Sequence, residues 1–87
     1  MENEIVEVDK RAMNKYASNI GNPPSINYSY FVNATSIVPV GDINIPAYSK
    51  GVFVTNGGND GCLLMVDAEC NLYVGFRNGG KWTGRKI

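Results

Sequence analysis

The 87-residue chain contains eight basic side chains, eight acidic side chains and no histidine, so its formal net charge is zero. A chain of this length forms one domain at most, and the core of so small a domain is only marginally stable by itself. Without histidine, the usual Ser-His-Asp and Cys-His catalytic groups and the commonest zinc ligand are excluded. The composition therefore predicts a non-enzymatic domain with no cofactor and no metal, stabilised further by a partner subunit.

The first 21 residues predict an amphipathic helix that serves as an oligomerisation segment. Apolar residues recur at steps of three or four, and Gly21 with the prolines after it marks the end of the helix. The start is open, because residues 4–8 also fit a short strand, with Asp9 as the N-cap of a helix over 10–19. The narrow apolar stripe suits docking against copies of the chain or against its own sheet. The stripe consists of Ile5, Val8, Ala12, Tyr16 and Ile20.

Residues 22–87 predict a β-rich domain, a small antiparallel meander or sandwich. Short runs rich in β-branched and aromatic residues alternate with turns rich in glycine, proline and asparagine. Four to six short strands are expected, and the expected fold class is mainly β with one N-terminal helix. The last three runs, 51–56, 62–67 and 72–76, form an apolar meander of consecutive hairpins.

Two cysteines, Cys62 and Cys70, leave two interpretations open. They form one disulfide across the proposed hairpin, or they stay free thiols that pack as small hydrophobic side chains. Two cysteines alone do not make a disulfide framework, so free thiols are favoured. Oligomerisation is then the expected source of additional stability.

Three carboxylates, Asp60, Asp67 and Glu69, lie close together in sequence around the predicted hairpins. Paired carboxylates can perform acid–base chemistry. No partner base or nucleophile accompanies them, and acidic residues in turns usually accept hydrogen bonds from nearby backbone amides. We therefore interpret them as turn residues.

Two glycine-rich turns predict a partner-binding surface. Residues 75–81 have the glycine spacing and lysine of a phosphate-binding loop, but Trp82 stands where that motif needs serine or threonine. We interpret the stretch as a turn that follows a strand ending at Phe76. Because antiparallel strands alternate in direction, this turn and the turn at 56–61 are expected at the same end of the sheet. The predicted partner-binding residues are Asn56, Asn59, Asp60, Arg77 and Lys81; the alternative is two solvated hairpin ends.

The large aromatic side chains are expected to act as anchors. Phe76 and Trp82 are predicted to be buried, against the sheet or against a neighbouring subunit. The tyrosines together with Trp82 leave two interpretations, a stacking platform for sugar or base rings, or the filling of a small core and of subunit contacts. The second is favoured for Tyr28, Tyr30, Tyr48 and Tyr73.

Charge and hydropathy favour neither a membrane nor a nucleic acid as partner. The acidic start of the chain and the lack of an apolar run predict no secretory signal and no membrane insertion. The cations near the C-terminus are scattered and do not form the basic face that nucleic-acid binding requires. An acidic start and a basic end are suited to steering contacts between copies.

The stretch NIPAYSKGVFVTNGGNDGCLLMVDAECNLYVGF, followed by a glycine-containing tail and a tryptophan, resembles the C-terminal tip domains of certain phage proteins. These are tail-fibre and baseplate proteins of phages and prophages of Gram-positive gut bacteria, and the resemblance covers roughly residues 42–87. It implies a homotrimeric β-structure in the virion, a receptor-binding or attachment role, and no enzyme activity. The implied partners are further copies of the chain, a host surface glycan, a host protein or another virion component.

The chain is much shorter than a fibre with a long shaft, since its shaft would be the single predicted helix. This leaves a second function open, that of a small soluble phage protein that inhibits host defence in the host cytoplasm. Such a protein would bind a host protein, or would sequester an anionic ligand between subunits. Arg77, Lys81 and Arg85 are the cations predicted to hold that anion.

Overall fold

The computed structural model describes residues 17–87, which form eight β-strands, so the predicted mainly β class is confirmed for this part of the chain. Six strands make one sheet and the other two make a hairpin. The strands are β1 (Ser18–Ile20), β2 (Tyr30–Ala34), β3 (Val38–Val40), β4 (Ile43–Ile45), β5 (Lys50–Val54), β6 (Gly61–Val66), β7 (Leu72–Asn78) and β8 (Lys81–Lys86).

The six-stranded sheet has the order β1-β2-β5-β6-β7-β8. All neighbouring strands are antiparallel except β1 and β2, which run parallel. In the chain, the hairpin of β3 and β4 follows β2 and precedes β5, although β2 and β5 pair directly with each other. The hairpin packs over one side of the sheet. Pro39 is tolerated in β3 because this strand has only one pairing partner and so resembles the edge of a sheet.

The predicted N-terminal helix is wrong at its C-terminal end. Ser18–Ile20 form β1, with Ser18 opposite Val32 and Ile20 opposite Ala34. Serine, asparagine and isoleucine are weak helix formers, so pairing with β2 and the packing of Ile20 against the core outweigh the helical periodicity. The rest of the predicted helix, with its anchors Ile5, Val8 and Tyr16, lies outside the described residues.

The hydrophobic core lies between the hairpin β3–β4 and the side of the sheet that faces it, here called the inner face. Side chains alternate along each strand, so every second residue of β2, β5, β6 and β7 points into this layer. Trp82 on β8 is half-buried and packs against the same core. The buried apolar residues are Tyr30, Val32, Ala34, Val38, Val40, Ile45, Phe53, Leu63, Met65 and Tyr73.

The C-terminal tail is a strand that the sequence interpretation missed. β8 pairs with β7 along its whole length, from Lys81 opposite Asn78 to Lys86 opposite Tyr73. Gly79 and Gly80 connect the two strands with φ values of 61° and 83°, as a two-residue turn with the twist of a hairpin requires. The run from Lys81 to Lys86 contains no β-branched aliphatic residue, so strand propensity alone does not identify it.

Both cysteines are free thiols, which is the favoured of the two interpretations. Cys62 is half-buried on β6, opposite Val54 and Phe76. Cys70 is exposed in the turn between β6 and β7 and has a φ of 66°, which few residues other than glycine adopt.

Asp67 organises the turn between β6 and β7, which agrees with its interpretation as a turn residue. Its Oδ1 accepts hydrogen bonds of 2.9 Å from the backbone amides of Glu69 and Asn71. Its Oδ2 accepts a bond of 3.1 Å from the Asn71 side chain and one of 2.7 Å from the Tyr73 hydroxyl. These hydrogen bonds lower the pKa of Asp67 from 3.8 to about 2. The bond from the Asn71 backbone amide has the largest effect, and the bond from the Tyr73 hydroxyl also lowers the pKa.

We expect this turn to make stability depend on pH in the acid range. The lowered pKa means that the unfolded chain binds more protons than the folded one, so the contribution of Asp67 is fully present above pH 3.8 and is lost as the pH falls towards 2. Thermal unfolding of the parent and of Asp67→Asn should therefore give midpoints that differ most near neutral pH and converge between pH 4 and pH 2. The exposed Asp42→Asn is the control, and a constant difference for Asp67→Asn across this range would contradict the prediction.

Candidate functional site

The loops at one end of the sheet form a continuous surface, here called the loop end. It consists of the turn 55–60 between β5 and β6, the turn Gly79–Gly80, and residues 23–29 of the linker 21–29, which joins β1 to β2. The Gly80 amide donates a 3.0 Å hydrogen bond to the Asn59 carbonyl oxygen, and the Gly79 amide donates a 3.1 Å bond to Asp60 Oδ1. The two glycine-rich turns therefore lie at the same end of the sheet, as the alternation of strand direction predicts.

Arg77 holds the loop end together from inside the protein. It lies on the inner face of β7, opposite Gly61 on β6 and Trp82 on β8, and only 3% of it is exposed. The guanidinium carbon lies 5.2 Å from the centre of the Phe53 ring. The expectation of an exposed, partner-binding cation is wrong for Arg77, because strand alternation directs its side chain under the loops.

The guanidinium group of Arg77 is surrounded by neutral oxygen atoms. Six of them lie within 3.4 Å of its nitrogen atoms, three from the linker and three from the turn 55–60. A guanidinium has only five N–H groups, so some of these hydrogen bonds share a donor. The acceptors are Pro24 O, Ile26 O and Asn27 Oδ1 in the linker, and Gly58 O, Asn59 O and Asp60 O in the turn.

The other four predicted partner-binding residues are exposed at the loop end: Asn56, Asn59, Asp60 and Lys81. Two of them use side-chain oxygens inside the loops, since Asn56 Oδ1 accepts from the Gly58 amide and Asp60 Oδ1 accepts from the Gly79 amide. Within residues 17–87, the side-chain amide of Asn59 and the ammonium group of Lys81 make no hydrogen bond. The loop end thus presents the side-chain amide of Asn59 and the ammonium group of Lys81, and both can bind a partner.

A cleft of about 300 Å³ lies at the loop end beside Trp82. Pro23, Pro24 and Ser25 line one part of the cleft, and Asn59 and Gly80 line another. The Trp82 ring packs on Phe53, with 6.1 Å between the ring centres and a tilt of 50°. Trp82 is therefore anchored on the sheet and also forms one wall of a small cleft that combines apolar and polar groups.

The tyrosines do not form a shared stacking platform. Tyr30 and Tyr73 are buried in the core, each only 5% exposed, whereas Tyr28 and Tyr48 are 52% and 70% exposed. Tyr28 packs against Tyr30 with 5.9 Å between ring centres. Tyr30 and Tyr73 therefore fill the core, as the favoured interpretation predicts for these two residues.

The side of the sheet opposite the hairpin β3–β4, here called the outer face, is also apolar. Phe76 lies on it and is 53% exposed, so its predicted burial in the core is wrong. Its neighbours along β7, Gly75 and Arg77, take the inner positions, and burial of Phe76 against a neighbouring subunit stays a prediction. The apolar residues of the outer face are Phe31, Val52, Val54, Cys62, Leu64, Val66, Leu72, Val74 and Phe76.

A sequence signal for this second apolar surface exists in β6. The run Cys62-Leu63-Leu64-Met65-Val66 is apolar without interruption, whereas a strand with one face in water normally alternates between apolar and polar residues. Leu63 and Met65 are fully buried on the inner face, and Leu64 and Val66 are 40% and 44% exposed on the other side. The uninterrupted run therefore indicates a strand with two apolar faces.

Neither a metal centre nor a membrane span is found in residues 17–87. No group of three or more histidine, cysteine, aspartate or glutamate side chains is arranged there to hold a metal ion, and no helix in this range is long and apolar enough to cross a membrane. No family model, no curated protein and no solved structure matches the chain. The function is therefore inferred from the loop end and the outer face.

Proposed function

We propose that the chain is a non-enzymatic attachment module of the phage-tail type, which forms a homotrimer in the virion and binds its partner through the loop end. The observation that supports this proposal most strongly is the hydrogen bonding of Arg77, which joins the linker to the turn 55–60. Loops that are already ordered before binding lose little conformational entropy on binding, so they suit recognition.

The chemistry of the loop end favours a host surface glycan as the partner. Sugars present hydroxyl groups beside apolar ring faces, and they are bound by polar side chains placed next to an aromatic ring. Here the exposed Asn59 and Lys81 lie at the same end of the sheet as the cleft walled by Trp82. A host protein or another virion component is a further possible partner of the same surface.

The alternative function, a soluble inhibitor that sequesters an anion between subunits, is less well supported. It requires Arg77, Lys81 and Arg85 to reach a shared ligand. Arg77 is 3% exposed and directs its donors to six neutral oxygens of its own chain. Of these three cations, only Lys81 and Arg85 are exposed and can reach such a ligand.

The proposal predicts that Asn59→Ala combined with Lys81→Ala weakens binding and spares the fold. Both residues are exposed and make no hydrogen bond through their side chains within residues 17–87, so each change should cost about 0.5 kcal/mol or less. The measurement is binding of the purified protein to a glycan array and to intact Gram-positive cells. We expect at least a tenfold loss of affinity, equivalent to about 1.4 kcal/mol.

Glu69→Ala is the matched control, since Glu69 is exposed in the turn 67–71 at the opposite end of the sheet. It should bind as tightly as the parent. Equal binding by the parent, the control and the double variant would place the binding surface elsewhere. Failure of the parent to bind glycans or cells, together with capture of a host cytoplasmic protein, would favour the inhibitor function.

A further inference from the structure

The outer face carries its apolar residues in rows that cross the sheet. In one row, Phe31 on β2 lies beside Val52, which lies beside Leu64, which lies beside Val74 on β7. A second row runs from Val54 through Cys62 to Phe76, and a third joins Val66 to Leu72. Adjacent side chains in such rows are near enough to form one continuous surface.

The exposed apolar area of this surface is large for a domain of this size. Six of its nine side chains, Phe31, Val54, Leu64, Val66, Leu72 and Phe76, are between 38% and 53% exposed. At roughly 200 Å² for a whole large apolar residue, these six expose about 500 Å². The largest apolar patch on a typical monomer is about 300–600 Å² and is often functional. The outer face is thus at the upper end of that range before its half-buried residues are counted.

The charged groups lie at the border of the outer face and not within it. Lys50, at the start of β5, directs its ammonium group to Asn33 Oδ1 and to the Tyr48 carbonyl oxygen. Arg85 lies on β8 at the end of the first row, opposite Val74. Within residues 17–87 the second row contains no charged residue, and the first and third rows each meet a cation only at one end, Arg85 beside Val74 and Lys50 beside Val66. A partner that covers the rows therefore need not desolvate a charge.

We propose that the outer face packs against the outer face of other copies of this chain, so that it forms the interface of the homo-oligomer. This inference rests on the proposed oligomeric attachment module and names its assembly surface. Two such faces in contact would remove about 1,000 Å² from water through the six exposed residues alone, which reaches the lower limit for a specific interface. Sheets packed face to face in this way interdigitate their side chains about 10 Å apart, as in a β-sandwich.

Another copy of the chain is a better partner for the outer face than an unrelated protein, because one apolar face can cover a second apolar face of the same kind. Its apolar rows can meet those of a second copy while Lys50 and Arg85, which are exposed at the border, stay in water. The same packing supplies the additional buried area that a domain with a small core needs. Two copies related by a two-fold axis pack one outer face on the other, whereas in a trimer each outer face would turn towards the three-fold axis and meet parts of two others.

The test compares the parent, one double variant and one single control variant by sedimentation at concentrations from 1 to 100 µM, a range that brackets micromolar affinity. In Leu64→Glu combined with Phe76→Glu, two exposed outer-face residues acquire carboxylates that oppose assembly because they lose water without a partner. Ile37→Glu is the matched control, since Ile37 is 59% exposed in the connection between β2 and β3. We expect the parent and the control to be oligomeric and the double variant to be monomeric with an unchanged β circular-dichroism spectrum.

A second measurement uses the parent protein alone and so does not depend on the folding of a variant. Cys62 lies in the second row of the outer face, whereas Cys70 is exposed in the turn 67–71. In the oligomer, Cys62 should react with a maleimide about tenfold or more slowly than Cys70, and dilution to the monomer should make Cys62 react faster, up to the rate that its half-buried position in one copy allows.

A parent that is monomeric throughout the concentration range, or a double variant that keeps the parent's mass, would overturn the proposed interface. So would a Cys62 reactivity that does not change on dilution. A dimer in place of a trimer would support the surface and contradict the trimeric state of the proposed function. Glycan binding by the loop end is measured separately, so failure of one proposal is distinguishable from failure of the other.

Discussion

Replacing Arg77 with alanine is expected to destabilise the protein by about 3–5 kcal/mol, because a single change removes a charged donor from six buried or half-buried oxygens. The oxygens of the linker and of the turn 55–60 would lose their shared partner, and the Phe53 ring would lose the cation above it. Chemical denaturation measures the free energy of unfolding. Hydrogen exchange should show faster exchange of backbone amides in both loops than in β5 and β6.

Two control variants separate the geometry of Arg77 from its charge. Arg77→Lys keeps the charge but replaces a planar group of five donors with a single ammonium, so it should recover only part of the lost stability. Lys81→Ala removes an exposed cation from the same hairpin and should change stability by about 0.5 kcal/mol or less. An Arg77→Ala protein within 1 kcal/mol of the parent would show that the loop end does not depend on this side chain.

Replacing Gly51 with alanine is expected to destabilise the protein by about 3 kcal/mol or more, because the added methyl group has no room. Gly51 lies in β5 opposite Val32 on β2 and Met65 on β6. A Cβ at this position would overlap the Leu64 carbonyl oxygen and lie 2.8 Å from the Met65 sulfur. The Leu64 oxygen belongs to the backbone of the neighbouring strand, so relief requires β5 and β6 to move apart.

Gly58→Ala is the matched control for this prediction. Its added Cβ would have its nearest neighbour, Asn56 Oδ1, at 3.8 Å, which is ordinary contact. Urea denaturation of the two variants beside the parent measures the effect, and Gly58→Ala should change the midpoint little. Equal midpoints for Gly51→Ala and the parent would mean that β5 and β6 separate at no cost, contrary to the close approach of their backbones.

Local preferences are sufficient to predict the mainly β class of residues 22–87 and the ends of the central hairpins. The runs around Phe53, Leu63 and Tyr73 are rich in residues that favour strands, and the glycine- and asparagine-rich stretch between β5 and β6 is typical of a turn. Antiparallel alternation then places the two glycine-rich turns at one end, because each hairpin reverses the chain once. These features depend on residues close together in sequence.

The two edge strands of the sheet, β1 and β8, cannot be predicted by the same reasoning. β1 has only three residues, and their helical spacing from Tyr16 suggests a different structure. Its extended conformation depends on pairing with β2, whose partner residues lie 14 positions further along the chain. β8 likewise depends on pairing with β7, since only Trp82 and Thr83 among its six residues favour strands.

The choice of buried face depends on which side of the sheet the β3–β4 hairpin covers. Phe76 and Arg77 are neighbours on β7 and must point to opposite sides, and hydropathy alone would bury the phenylalanine. The hairpin covers the side of Arg77, whose guanidinium finds six oxygens of the linker and the turn, so the charged residue is buried and Phe76 is exposed. Strand character follows from the chemistry of neighbouring residues, but the burial of either face requires contacts between segments far apart in the chain, and periodicity within one strand does not contain that information.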